Sequence, residues 1–134
     1  DIFGLQLELV VKDTTLLSRC QDIFNIDDYE TAIFSAYKLV EEGVRRKAGL
    51  SPNHIGVQLM TEALHPSTGI LMIPSCATTQ EQEGIYNLFK GAIAFLKNPS
   101  SHRTVNYDDR LVAIKIIALA ELLLQILSRA QPRT

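Results

Sequence analysis

The sequence has no tryptophan and only two cysteines, and what it lacks narrows what it can be. Cys20 and Cys76 stand far apart, with no paired cysteine, histidine cluster or ligand spacing that would make a zinc site. They read as two free thiols in a reducing cytoplasm. Uninterrupted apolar runs are also missing. The longest, Leu111 to Leu127, is broken by Lys115, Glu121 and Gln125, whereas a membrane span needs about 20 predominantly apolar residues. It reads as a core helix and not as a membrane anchor. No glycine-rich phosphate loop occurs, and Ser35, Ser75 and Ser128 lack the glycine context of a nucleophile elbow. Nucleotide kinases and serine hydrolases drop out. A net charge of -2 excludes the broad basic surface that grips duplex nucleic acid, so any nucleic-acid contact must be local.

What is present suits one folded domain over residues 1–134. The chain is 46% hydrophobic and 21% charged, which opposes disorder, and its length allows a real core but not two. Asp1 carries neither an initiator methionine nor a basic leader, so the chain is expected to be part of a longer protein. Residues 1–8 read as a linker or disordered start. Leu5, Leu7, Leu9 and Val11 alternate with other residues and suit a short extended segment.

Helical periodicity governs the rest. Asp13 can cap a first helix from Thr14 to about Asn25. Asp27 and Asp28 open a second, running to about Ala48 and stopped by Gly49, with Ala32, Ile33, Ala36, Val40 and Val44 as its buried stripe. Ser51-Pro52 predicts the start of a third helix that lasts until Pro66. Ser67 to Ala77 reads as a loop with one strand-like piece, Ile70 to Ile73, packed over the helices. Thr78 and Glu81 form a capping box for a fourth helix, whose predicted inner face is Ile85, Leu88, Phe89, Ala92, Ile93 and Leu96. Pro99 requires that helix to end near Asn98. Asp108 is expected to cap a last helix through about Arg129, apolar around most of its circumference and therefore central or paired with a second subunit. The predicted fold is all-α, a bundle of about four to five helices with a short extended or hairpin-like loop insertion.

Chemistry-bearing residues gather between Lys97 and Arg103, just after a strongly apolar helix. Histidine exchanges a proton near neutral pH, and lysine neutralises a phosphate oxygen as a compact charge, so His102 and Lys97 together suit phosphodiester cleavage. By residue type alone the same segment also reads as helix caps, with His102 and Arg103 as solvated loop residues. His54 and His65 read as surface or capping residues. Arg45, Arg46 and Lys47 form the one basic run, near a helix end where cations favour the negative pole of the dipole.

The strings Tyr29-Glu30-Thr31-Ala32-Ile33-Phe34 with Glu41, Val44 and Arg45, then Leu88 to Ile93, Lys97-Asn98-Pro99-Ser100-Ser101-His102 and Tyr107-Asp108-Asp109 resemble the Ymh-like branch of the HEPN superfamily. The resemblance runs from about Leu9 onward. It implies a helical bundle, commonly a homodimer, and in many members a metal-independent endoribonuclease built on an arginine, four to six intervening residues and a histidine. Lys97 and His102 fall on those two positions and Asn98 on the polar residue after the first. The resemblance thus implies that His102 serves as acid/base while the ribose 2′-hydroxyl attacks the adjacent phosphate. Lys97 would steady the developing charge, and Asn98 would orient the phosphate or hold His102. Ser100, Ser101 and Arg103 are expected to contact RNA, no metal or other cofactor is expected, and a dimer would bring two such sets together.

One departure matters. Lysine keeps the charge of the family's arginine but loses the planar fork that holds two phosphate oxygens. Two functions therefore follow: a ribonuclease of a prokaryotic defence or toxin system, or a degraded HEPN domain that serves for dimerisation, interaction or RNA binding beside a fused or partner effector.

Overall fold

A computed structural model describes residues 5–76, 78–97 and 109–133, with no account of the Lys97 side chain. Five α-helices appear among the described residues: α1 (Thr14–Asn25), α2 (Tyr29–Ala48), α3 (Gly56–Leu64), α4 (Thr79–Ala92) and α5 (Arg110–Leu127). A π-turn, Ile93–Lys97, continues α4. Two short strands, β1 (Leu71–Met72) and β2 (Gln131–Pro132), pair antiparallel with Leu71 opposite Pro132. The expected all-α bundle is what the chain forms, and none of the described helices is long and apolar enough to cross a membrane.

Helix ends follow local chemistry. The Asp13 carboxylate accepts the Leu16 N–H at 2.9 Å and that of Asp28 accepts the Thr31 N–H at 3.2 Å, so each takes up a donor that the first turn leaves unpaired. Gly49 ends α2 at φ +70°, a left-handed conformation that a Cβ would strain. Thr78 and Glu81 make the reciprocal capping box. For α5 the cap is Asp109 and not Asp108. Its carboxylate accepts from Leu111 and Val112 at 2.8 and 3.1 Å, while Asp108 lies outside the described residues.

Helix α2 is the spine. Its predicted stripe is buried, and Tyr29, Tyr37, Leu39, Glu41 and Gly43 are buried as well, because α1, α3, α5 and the π-turn all pack on it. Helices α2 and α5 run parallel: Arg110 meets Tyr29 near their starts, the Tyr37 hydroxyl donates to the Ile116 carbonyl at 2.7 Å, and Gly43 faces Leu127 near their ends. A Cβ on Gly43 would come within 3.1 Å of a Leu127 methyl, so the small residue sets the closeness of that crossing.

Three local expectations are corrected and a fourth, the strand-like loop, is met. Leu5 to Val11 is not extended: Leu7–Leu9 forms a 3-10 turn that buries Leu7 and Val11 and leaves Leu9 outside. Alternating leucines pack equally well from a tight turn when only two of them face a core. Helix α3 starts at Gly56 and not at Ser51-Pro52, whose carbonyl at Ser51 instead receives the His54 N–H in a turn. The cause lies on α2: the Glu41 carboxylate accepts the Gly56 N–H at 2.6 Å and serves as the N-terminal partner of the helix. On α4, Phe89, Ala92, Ile93 and Leu96 are buried as predicted, but Leu88 is exposed and Ile85 half-buried. The strand-like loop packs inward through Leu71 and Ile73 as expected, and its partner strand comes from beyond α5. Arg133 locks that pairing by donating to the carbonyls of Gly69, His65 and Pro66.

The start of α1 is moored from a distance. One Glu121 oxygen on α5 accepts the backbone N–H groups of Lys12 and Asp13 at 2.6 and 2.7 Å. Replacing Glu121→Ala removes the acceptor of both donors and should cost about 1 kcal/mol in urea unfolding, since water reaches the exposed Lys12 N–H in its place. Glu121→Gln keeps an acceptor oxygen and should lose less; equal losses for the two variants would show that this oxygen is not the tie.

Candidate functional site

The predicted site straddles a helix end whose geometry is unusual. After Ala92 the chain widens into the π-turn Ile93–Lys97, with Ile93 and Leu96 buried against α2 and α3 and Phe95 exposed. A proline at 99 has no N–H for the carbonyl four residues earlier, Phe95, so the helix loses a bond where it must stop. Single π-turns recur at functional sites because they re-aim the side chains that follow. Lys97 closes this turn. Asn98, Ser100, Ser101, His102 and Arg103 lie outside the described residues, so the spacing between Lys97 and His102 in space is not part of this geometry.

Downstream, the chain re-enters the described fold at Asp109, and Arg110 clamps it there. The Arg110 guanidinium lies 4.5 Å from the centroid of the Phe24 ring and its Nε donates to the Leu5 carbonyl at 2.5 Å. Its Nη1 reaches the Tyr29 hydroxyl at 3.2 Å and Asp27 Oδ1 at 3.4 Å, and Tyr29 itself donates to that oxygen at 3.0 Å. Asp27 holds a left-handed backbone, φ +65°, in the turn between α1 and α2. Arg110 thus joins the N-terminal segment, that turn, the start of α2 and the exit of the candidate segment. Periodicity and motif spacing do not single it out; the one signal in the sequence is an arginine directly after the capping Asp109.

The other polar residues are tied locally. Arg45 donates to the His54 carbonyl at 2.9 Å, and His54 Nδ1 pairs with Glu62 Oε1 at 2.7 Å. His65 Nδ1 accepts the N–H groups of Ser67 and Thr68, and its ring packs against Tyr86. His65 thus caps the turn that follows it, one of the roles the sequence allows, whereas the His54 ring is tied to a carboxylate on α3. Lys47 donates to the Ser128 carbonyl, and Arg46 lines a cleft of about 330 Å³ between α1, α2 and α5. The basic run lies at the end of α2 opposite Arg110, separated from Tyr29 by about 25 Å at 1.5 Å per residue.

Burial raises both thiols, that of Cys20 the more. Burial raises the Cys20 thiol to about 11, with only a smaller opposing pull from Arg19, and its Sγ donates to the Ala32 carbonyl at 3.4 Å. Cys76 is also raised, by burial first and then by Glu81. Among carboxylates, Glu42 is held below its ordinary range by the hydrogen bond from Arg19, at 2.9 Å. A depressed carboxylate supports the fold above its unfolded value and loses that support as pH falls through the folded one. The pair is largely solvent-screened, so its share is under about 1 kcal/mol.

Two measurements follow. At pH 8 an alkylating reagent should modify the half-exposed Cys76 well before Cys20; the reverse order would contradict the burial of α1. Arg110→Lys should destabilise the chain nearly as much as Arg110→Met, by about 1–3 kcal/mol in urea unfolding, because a compact ammonium cannot serve the ring, the carbonyl and the tyrosine together. Wild-type stability in Arg110→Lys would remove the clamp.

No curated protein and no solved structure matches this chain. A family model described as Protein of unknown function (Hypoth_ymh) matches residues 12–127, which spans the first cap, all five helices and the segment from Lys97 to Asp109. The chain belongs to the Hypoth_Ymh family.

Proposed function

We propose that this domain is a metal-independent endoribonuclease of HEPN type, working in a prokaryotic defence or toxin system. The observation that carries the reading is the string Lys97-Asn98-Pro99-Ser100-Ser101-His102, set between the π-turn that ends α4 and the capped, clamped start of α5. Membership of the Hypoth_Ymh family agrees with the sequence resemblance that suggested this string.

The chemistry needs few parts. His102 takes the proton of a ribose 2′-hydroxyl as its oxygen forms a bond to the adjacent phosphorus. The bond from phosphorus to the 5′-oxygen breaks, that oxygen takes a proton from water, to which protonated His102 later returns its own, and a cyclic phosphate remains. Lys97 offsets the charge that builds on the non-bridging oxygens, and Asn98 orients the phosphate or His102. Ser100, Ser101 and Arg103 hold the flanking RNA. A lysine at 97 offers one point charge instead of a fork, which suits a weakened enzyme.

A second reading has its own observation. Leu111 and Leu122 on α5 are 44% and 48% exposed, and exposed leucines on a helix this apolar favour an interaction module with a fused or partner effector.

Labelled single-stranded RNA incubated with the chain in EDTA separates the two. The nuclease reading expects cleavage to cyclic phosphate ends, reduced about 10²–10⁴-fold in His102→Ala and about 10²–10³-fold in Lys97→Ala, with Lys97→Arg at least as active as the wild type. RNA bound but uncut by the wild type and by Lys97→Arg would sink the nuclease and leave the binding module. Cleavage unchanged in His102→Ala would discard the assigned site.

A further inference from the structure

We propose that the cleft between α1, α2 and α5 binds a small organic anion, one with an apolar body and a single carboxylate head. The site lies at the opposite end of α2 from Arg110 and is independent of the RNA chemistry proposed above. Its volume of about 330 Å³ falls at the lower end of the roughly 300–1,000 Å³ that small-molecule sites span. Apolar groups make its depth: Leu39 and Gly43 from α2 and Leu127 from α5 are buried, and Leu124 is half-buried. Gly43 keeps that depth open. A Cβ there would come within 3.1 Å of Leu127 and 3.6 Å of Leu124, the two leucines that wall the cleft, so a larger residue would take up the space that the glycine leaves.

The mouth is polar, and its charge is unbalanced. Thr15, Arg46, Lys47 and Ser128, all exposed, surround the opening together with the half-buried Asp13. The basic run divides here by what each side chain already holds. Arg45 is spent on the His54 carbonyl, and Lys47 uses one ammonium N–H on the Ser128 carbonyl. Arg46 makes no side-chain hydrogen bond or ion pair among the described residues, so its planar fork of donors is available. Against Arg46 and Lys47 stands one lining carboxylate, Asp13, whose Oδ1 accepts the Leu16 N–H. Glu42, next to Gly43 on α2, is paired with Arg19 at 2.9 Å. The excess charge at the mouth is therefore positive.

Charge and depth together select the occupant. An uncharged apolar molecule would fill the leucine-walled depth and leave Arg46 unmatched, and a bare inorganic anion would match Arg46 and leave the depth unused. A molecule with an apolar body and an anionic head uses both. A guanidinium fork fits the two oxygens of a carboxylate, and the resulting charge-assisted hydrogen bonds are the stronger kind. The body then displaces water from the buried leucines, which supplies the non-directional part of the affinity.

Titration of the isotope-labelled full chain with sodium octanoate, octylamine and sodium acetate, read by the amide shifts in NMR spectra, tests the assignment, with far-UV melting to confirm that each variant folds. Octanoate is expected to move the amides of Gly43, Arg46, Leu127 and Ser128 saturably, with a Kd on the order of 0.1–1 mM. Octylamine, the same body with a cation, and acetate, the head without the body, should bind at least about tenfold more weakly. Arg46→Gln, at an exposed position, should weaken octanoate by about tenfold. Asp13→Asn keeps a capping oxygen for α1 and removes the one lining anion, so at low salt it should tighten octanoate by about two- to fivefold. Absence of a saturable shift at these amides would overturn the proposal. So would octylamine binding as tightly as octanoate, which would reduce the cleft to an apolar crevice, or octanoate binding that is unchanged in Arg46→Gln or weakened in Asp13→Asn, which would place the head elsewhere.

Discussion

The carboxylate of Glu41 sits 3% exposed on the spine of the bundle, and the Gly56 N–H donates to it at 2.6 Å. Burying a carboxylate is costly unless hydrogen bonds replace water, so this contact couples the register of α2 to the start of α3. The consequences propagate. Because α3 begins at Gly56, Thr61 meets the Tyr86 hydroxyl on α4 at 2.9 Å, and His65 meets the Tyr86 ring. Those contacts seat α4 along α3, and the seat of α4 determines where the π-turn delivers Lys97. A polar tie in the core thus governs the approach to the segment on which the functional proposal rests.

The two ends of that segment are held by different physics. Upstream, Ile93 and Leu96 anchor the π-turn through apolar burial, which is non-directional and tolerates similar side chains. Downstream, Asp109 and Arg110 anchor it through directional bonds to particular atoms: two backbone N–H groups, the Leu5 carbonyl and the Tyr29 hydroxyl. The intervening motif therefore has a packed entrance and a hydrogen-bonded exit. Its chemistry is proposed from residue types and a sequence resemblance, and its frame comes from the fold.

Short-range rules made much of this protein legible from its residues. Asp13, Asp28, Gly49 and the Thr78–Glu81 box mark helix ends as written, since a cap depends on atoms within a turn of itself. The stripe Ala32, Ile33, Ala36, Val40 and Val44 marks the inner face of α2 because helical period alone brings those positions together. The candidate motif was also visible, as a concentration of polar groups beside a core helix.

Where the reading missed, a distant partner had decided. Ser51-Pro52 is a sound helix start by local chemistry, but Glu41, fifteen positions before Gly56 and on another helix, takes the N-terminal role. Leu88 fits the inner face of α4 by period, yet the neighbours of α4 cover the side bearing Phe89 and leave Leu88 outside. The strand Gln131–Pro132, the moorings of Glu121 and the clamp of Arg110 all join residues more than fifty positions apart. Caps and periodicity act within a few residues, so the all-α class, most helix limits and the candidate residues are legible in the chain. Which faces are covered and which polar side chains serve as ties depend on burial and long-range hydrogen bonds, and those exist once the helices have met.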